Sequence, residues 1–189
     1  MKWQALSLAM LASAGIATPI AAIPKTDIYT LRVSSKYAQD IDGATLTLRS
    51  SQIGVFPGSP AVQFYTVPSP DGRVELHRYP VSDSEQVLAF VGKQGLLDFA
   101  VTEPTTSPDE PGTTCDWKSF GLGTQSEGKP ENLVTYAGGK GGSWVAFPGK
   151  DGWTINWRSA DAITIDTYMV VDVVYEPASG EGGPNYGSS

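Results

Sequence analysis

The feature that most constrains the fold of this chain is a series of short segments in which apolar and polar residues alternate. Residues 29–33, 44–49 and 74–79 alternate in this way, and glycine, proline and aspartate separate such segments along the chain. Alternation places successive side chains on opposite faces of a strand, and no window has a convincing helical period. The pattern predicts an all-β fold, either an antiparallel β-sandwich or a compact barrel, with a trefoil-like internal repeat as the alternative.

Two turn sequences predict hairpins between neighbouring strands. Residues 68–72 contain an Asp-Gly pair, which is typical of tight hairpin turns, and residues 92–95 form a second turn bounded by glycines. Apolar segments precede and follow both turns, so each turn is expected to connect two antiparallel strands. The further strands expected are residues 53–56, 118–122, 132–137, 143–147, 153–157 and 163–175.

The N-terminus has the pattern of a secretory signal peptide. Lys2 is followed by an apolar segment at residues 5–17, then by Pro19 and two small alanines. The apolar segment is shorter than the about 20 residues that a membrane-spanning helix needs, so no membrane partner is expected. We therefore expect residues 1–22 to be removed and the protein to be secreted.

The remaining chain is long enough for one ordinary domain. Residues 23–177 are expected to form a single all-β domain with an exposed, proline-rich loop at residues 102–114. Residues 178–189 are polar and rich in glycine, which predicts a disordered tail.

The composition of the chain limits the binding partners and the kinds of functional site that are expected. The formal net charge of −7 disfavours nucleic acid, which is bound through lysine and arginine. Cys115 is the only cysteine, so no intramolecular disulfide can form and a free thiol is expected. One cysteine and one histidine cannot form a structural zinc site, and no metal or cofactor is expected.

No catalytic motif stands out. His77 is the only histidine, and no Gly-x-Ser-x-Gly nucleophile elbow accompanies it, so a surface or cross-strand position is expected for it. Most of the acidic residues lie in turns, where aspartate bonds its own backbone. We therefore expect no catalytic residues, although two acids across a cleft would suffice for a glycosidase.

A cluster of aromatic residues is the strongest remaining signal. It falls within residues 117–157, and Trp153 and Trp157 have the same strand parity, which places them on one face. Such side chains either pack in the core or stack on the faces of sugars, and for any single tryptophan the core is favoured. The candidates for glycan contact or core packing are Trp117, Tyr136, Trp144, Trp153 and Trp157.

Loose aromatic and glycine motifs in the second half of the chain resemble a known family. They are Phe120-Gly121-Leu122, Leu-Val-Thr-Tyr-Ala-Gly at residues 133–138, Trp-Val-Ala-Phe-Pro at 144–148 and Trp-Thr-Ile-Asn-Trp at 153–157. The chain is similar here to the PhiA-like fungal cell wall proteins, and the resemblance covers roughly residues 30–177. The family has cysteine before the proline where this chain has Phe147, and its other cysteines are missing as well.

The resemblance implies a secreted, non-enzymatic structural protein of the fungal cell wall, with a link to conidium and phialide development and with wall polysaccharide as a candidate partner. Two alternatives stay open. One is a secreted effector or surface antigen that binds a host or wall glycan. The other is a carbohydrate-active enzyme with an unrecognised carboxylate pair.

Overall fold

The regular structure of the described residues consists of antiparallel strands. A computed structural model describes residues 27–104, 111–123, 131–138, 141–164 and 166–178. Within these residues there is no helix, and thirteen strands belong to one hydrogen-bonded network. The predicted all-β fold is confirmed. The strands are β1 (Tyr29–Ser34), β2 (Thr47–Arg49), β3 (Gln52–Val55), β4 (Gln63–Pro68), β5 (Val74–Tyr79), β6 (Val87–Lys93), β7 (Leu96–Thr102), β8 (Thr114–Asp116), β9 (Phe120–Leu122), β10 (Val134–Tyr136), β11 (Gly142–Gly149), β12 (Gly152–Ser159) and β13 (Met169–Pro177).

Eight of these strands close on themselves as a ring. Their order is β1, β4, β5, β6, β7, β12, β11 and β13, and β13 pairs again with β1. The shortest strand pairing in the ring is the one between β5 and β6. There His77 pairs with Val87, and the Arg78 amide donates to the Gln86 carbonyl. A closed ring of about eight strands has an interior that side chains can fill. The architecture is therefore that of a compact barrel, and its strand order shows no threefold repeat within the described residues.

The other five strands fill places where neighbouring ring strands diverge. β3 inserts between β12 and β7 at one end of both strands, and β2 pairs with its outer edge. β8 pairs with β6, β9 pairs with β5 at Val74, and β10 continues from β9. The turn between residues 116 and 120 therefore lies where β5 and β6 separate. Phe120, which follows this turn, is fully buried.

Alternation along the ring strands sets the core. Leu31 and Val33 of β1 are buried, while Arg32 between them is exposed and forms an ion pair with Glu176. β13 repeats the pattern with Val171 and Val173. The alternating apolar side chains of β1 thus point into the ring and Arg32 points outward, as the sequence pattern predicts.

Both predicted hairpin turns are present. Gly72 has a φ of +82° and its amide donates to the Ser69 carbonyl. Gln94 and Gly95 have φ values of +54° and +77° between β6 and β7. Two successive positive φ values match the twist of the flanking strands in a two-residue hairpin loop.

The sequence placed some boundaries differently. Thr102 and Thr114, the two ends of the expected proline-rich loop, lie in β7 and β8, and β8 itself was not predicted. Residues 105–110 of that loop lie outside the described residues, as do the expected signal peptide at 1–22 and residues 179–189 of the expected tail. The amide of Ala178, the first residue of the expected tail, donates to the Ile28 carbonyl. The described part of the chain holds no helix with the length and apolar character that crossing a membrane requires.

Candidate functional site

Three of the five candidate aromatic residues meet inside the ring. Tyr136 of β10, Trp144 of β11 and Trp157 of β12 are all buried. The Tyr136 and Trp157 rings lie 5.2 Å apart, centre to centre, and the Trp144 and Trp157 rings lie 6.0 Å apart, both nearly perpendicular. Edge-to-face contacts of this kind are favourable because the ring edges are positive and the faces negative.

The centre of this cluster is Phe90 of β6, which the sequence did not single out. Its ring lies 4.5 Å from Tyr136, 4.9 Å from Trp144 and 6.0 Å from Trp157. Phe99 and Phe120 complete the set at 5.3 Å and 5.4 Å from Phe90. The signal for Phe90 was available, because it lies in an uninterrupted apolar segment whose hairpin partner carries Phe99.

The remaining candidates lie elsewhere. Trp153 is on the same strand as Trp157, four positions away, and packs half-buried against the edge of the core. Trp117 is also half-buried, with the Lys118 ammonium 5.1 Å from its ring centre. Phe147 contacts Tyr168 at 5.8 Å. The aromatic cluster of the sequence therefore divides between the interior and its margin.

A groove of about 310 Å³ lies beside the buried aromatic residues. It is bordered by β10, the start of β11 and the start of β13, and Trp157 of β12 also contributes to its lining. The lining side chains include Tyr136, Trp144 and Trp157 together with Ser143, Val170 and Asp172. Aromatic surface next to a few polar groups is the usual composition of a small-ligand site.

The two indole N–H groups at the groove differ in their hydrogen bonding. The Trp144 Nε1–H donates to the Val134 carbonyl at 2.8 Å. Trp157 Nε1 is buried and has no acceptor among the described residues. A buried donor without an acceptor costs about 1–3 kcal/mol, and Trp157 carries this cost because its Nε1 is enclosed by the surrounding protein.

Two glycines fit closely against these side chains. A Cβ on Gly142 would lie 2.7 Å from Trp157 Nε1, and Gly142 has a φ of +149°. A Cβ on Gly138 would lie 2.2 Å from the Tyr136 hydroxyl and 2.3 Å from Asp116 Oδ2. The glycine-rich sequence around residues 136–143 therefore lets backbone pass directly over polar groups of the site.

Tyr136 is held at the groove by a carboxylate. Its hydroxyl donates to Asp116 Oδ2 at 3.0 Å. Burial raises the pKa of Tyr136 most strongly, and the charge of Asp116 and the hydrogen bond to it raise the pKa further. The neutral phenol is thus the form that the folded protein stabilises.

This shift predicts a loss of stability at alkaline pH. In the unfolded chain the pKa of a tyrosine is about 10, while in the folded protein the pKa of Tyr136 is higher. The stability contributed is fully present below a pH of about 10 and is lost as pH rises through the folded pKa. Denaturant unfolding at increasing pH should show a shallower decline for Tyr136→Phe than for the wild type. Tyr37→Phe, at an 80 % exposed position, should follow the wild type. Equal slopes for all three proteins would contradict the coupling of Tyr136.

His77 forms a second polar cluster at the seam between β5 and β6. It is only 5 % exposed, so the expected surface position is wrong, while its pairing opposite Tyr65 confirms the cross-strand position. Its Nε2 lies 3.0 Å from Glu75 Oε2, and its Nδ1 lies 3.0 Å from Glu85 Oε1 without hydrogen-bond geometry. One carboxylate therefore approaches each nitrogen of the imidazole.

Cys115 is a free thiol on β8, half-buried opposite Val91. Burial raises its pKa, and the neighbouring Asp116 raises it further. A raised pKa lowers the fraction of thiolate, the nucleophilic form, at neutral pH. Across the described ranges, no three histidine, cysteine or acidic side chains are grouped to hold a metal ion.

Nothing matched when the chain was compared with protein-family models, with curated proteins and with solved structures.

Proposed function

We propose that this chain is a secreted, non-enzymatic protein of the fungal cell wall that is retained there by binding wall polysaccharide. The observation that carries the proposal is the groove, which Tyr136, Trp144 and Trp157 line together with the polar residues Ser143 and Asp172. A sugar presents both apolar C–H faces and oxygen acceptors, so it complements both features. The signal-peptide pattern of residues 1–22 and the sequence resemblance to PhiA-like wall proteins also support the proposal.

The distribution of carboxylates favours binding over hydrolysis. Glycoside hydrolysis needs two carboxyl groups across the scissile bond. Among the described residues that line the groove, Asp172 is the single acid. Glu75 and Glu85, at the seam between β5 and β6, both lie 3.0 Å from the buried imidazole of His77. The arrangement at the groove therefore supports a binding site.

Fractionation and polysaccharide pull-down test the proposal. The full chain, secreted from a fungal host, should remain with the wall until it is extracted in boiling detergent. The purified protein should be depleted from solution by insoluble chitin or β-glucan. It should release no more reducing sugar than a heat-denatured sample. Protein that stays entirely in the medium and is not depleted by either polysaccharide would overturn the proposal.

Two exposed apolar residues give a matched pair of variants. Val170 lines the groove and is 51 % exposed, whereas Ile163 is 93 % exposed and lies outside the groove lining. Val170→Glu places a carboxylate where a sugar would have to desolvate it, and we expect about tenfold weaker binding. Ile163→Glu adds the same charge and should bind like the wild type. Equal binding by both variants would place the polysaccharide contact elsewhere on the surface.

A further inference from the structure

We infer that the phenol ring of Tyr37 is a second contact for the polysaccharide that occupies the groove. This inference rests on the proposed binding of wall polysaccharide and adds a residue outside the described groove lining. Tyr37 is 80 % exposed, more than any other aromatic side chain among the described residues. A tyrosine combines an apolar ring with a polar hydroxyl, so it can stack on the C–H face of a sugar and bond to its hydroxyl groups.

Hydrogen bonds and buried side chains fix the loop that carries Tyr37. The Ser35 hydroxyl oxygen accepts from the Tyr37 amide at 3.2 Å and from the Ala38 amide at 2.9 Å. The Ser35 amide donates to Asp42 Oδ1 at 2.8 Å. Ala38 and Ile41 are 3 % and 2 % exposed, and both belong to the hydrophobic core. The backbone at Tyr37 therefore needs little ordering when a ligand binds, which lowers the entropic cost of the contact.

The same loop adjoins one wall of the groove. The Ser35 hydroxyl donates to the Val170 carbonyl at 3.5 Å, and Val170 lines the groove. The pairing of β1 with β13 ends at Ser34 and Asp172, so the chain leaves β1 beside the start of β13. Tyr37 follows Ser35 by two residues, which limits the distance between their Cα atoms to about 7 Å. Tyr37 therefore lies across β13 from β11, next to the groove wall.

Three large apolar side chains are exposed at this place. Met169 and Val170 at the start of β13 are 36 % and 51 % exposed, and Tyr37 adds its ring beside them. Single exposed apolar residues are ordinary, whereas neighbouring ones are typical of interaction surfaces.

The size of the groove indicates what covers this surface. Its volume of about 310 Å³ is at the lower end of small-ligand sites, which span about 300–1,000 Å³. A polysaccharide chain is longer than such a groove and has to continue over the adjoining surface. On the β13 side that surface is formed by Val170, Met169 and Tyr37. The inference therefore makes the contribution of Tyr37 depend on the length of the glycan.

NMR titration of the full chain with oligosaccharides of two lengths tests this dependence, because it measures weak as well as tight binding. The ligands are the disaccharide and the hexasaccharide of chitin and of β-glucan. In the wild type, the ring signals of Tyr37 should shift with a hexasaccharide and not with a disaccharide. Tyr37→Ala should bind the hexasaccharide about tenfold more weakly than the wild type and the disaccharide equally well. Tyr37→Phe keeps the ring and should lose much less.

Val81→Ala is the matched control. Val81 is 64 % exposed and follows β5, a strand that has no pairing with β13. This variant should bind both oligosaccharides like the wild type. Both alanine substitutions shorten exposed side chains, so thermal unfolding should place both variants close to the wild type. If Tyr37→Ala nevertheless failed to fold, the Tyr37 ring signals of the wild type would still decide.

Three results would overturn the inference while binding at the groove stands. One is a Tyr37→Ala variant that binds the hexasaccharide like the wild type, with Tyr37 ring signals that do not shift. Another is an equal loss of affinity for the disaccharide and the hexasaccharide. The third is a wild-type dimer that Tyr37→Ala dissociates, because a second copy would then cover Tyr37. A wild type that binds neither oligosaccharides nor insoluble wall polysaccharide would overturn the proposed function as well.

Discussion

Phe90→Ala is expected to lower the free energy of unfolding by about 3–5 kcal/mol. Phe90 is fully buried, and five aromatic rings surround it, from Tyr136 at 4.5 Å to Trp157 at 6.0 Å. Truncation removes the transfer energy of the ring and leaves a cavity that stiff neighbours cannot fill. Native domains are stable by about 5–15 kcal/mol, so the variant should unfold at a much lower urea concentration than the wild type.

The matched control is Phe147→Ala. Phe147 is half-buried, and its ring contacts that of Tyr168 at 5.8 Å, away from the Phe90 cluster. We expect this variant to lose about 1 kcal/mol, the central value for point substitutions. Urea unfolding followed by tryptophan fluorescence measures both variants. Losses of equal size would mean that the core is not centred on Phe90.

The strands were predictable because each carries its own pattern. Residues 74–79 alternate and end at turn residues, and β5 has these same bounds. β8 was missed because Thr114–Asp116 has no apolar alternation and acquires its strand conformation by pairing with β6. Closure of the ring could not be predicted from the sequence either, because the pairing of His77 with Val87 depends on how the whole sheet curves.

The candidate site was predictable in its residue types and not in its arrangement. Parity placed Trp153 and Trp157 on one face, and the structure has them on one strand with Trp157 buried. Parity cannot tell which indole N–H will find an acceptor, because the acceptor for Trp144 comes from β10, a separate strand. The contrast in hydrogen bonding between Trp144 and Trp157 is therefore a property of tertiary packing.

The structural role of a glycine is also hard to predict from the sequence, because it depends on which atoms of other strands lie close to it. Gly54 looks like any strand glycine in the sequence, yet it pairs with Thr154 of β12 on one side and Thr47 of β2 on the other. A Cβ there would lie 2.2 Å from the Trp153 carbonyl oxygen and 2.8 Å from carbons of the Phe56 ring. The strand can therefore approach β12 this closely only because residue 54 has no side chain.

Gly54→Ala should consequently lower the free energy of unfolding by about 1–3 kcal/mol, the usual cost of forcing an extra carbon into a packed site. The backbone at Gly54 is not in the left-handed region, so the effect is steric. Hydrogen exchange should increase most in β2 and β3, because the ring itself is closed by the pairing of β12 with β7 and does not depend on the inserted strand.

Gly123→Ala is the control, because its added carbon would lie 3.4 Å from the nearest atom, the Leu133 carbonyl oxygen, an ordinary contact. Both substitutions restrict the unfolded chain equally, an effect that stabilises by about 0.4–1 kcal/mol, so their difference isolates the clash. Thermal unfolding should place Gly123→Ala at or slightly above the wild type and Gly54→Ala well below it. If Gly54→Ala melted together with Gly123→Ala, β3 could not lie as close to β12 as the structure has it, and the pairing that inserts β3 beside Trp153 would be wrong.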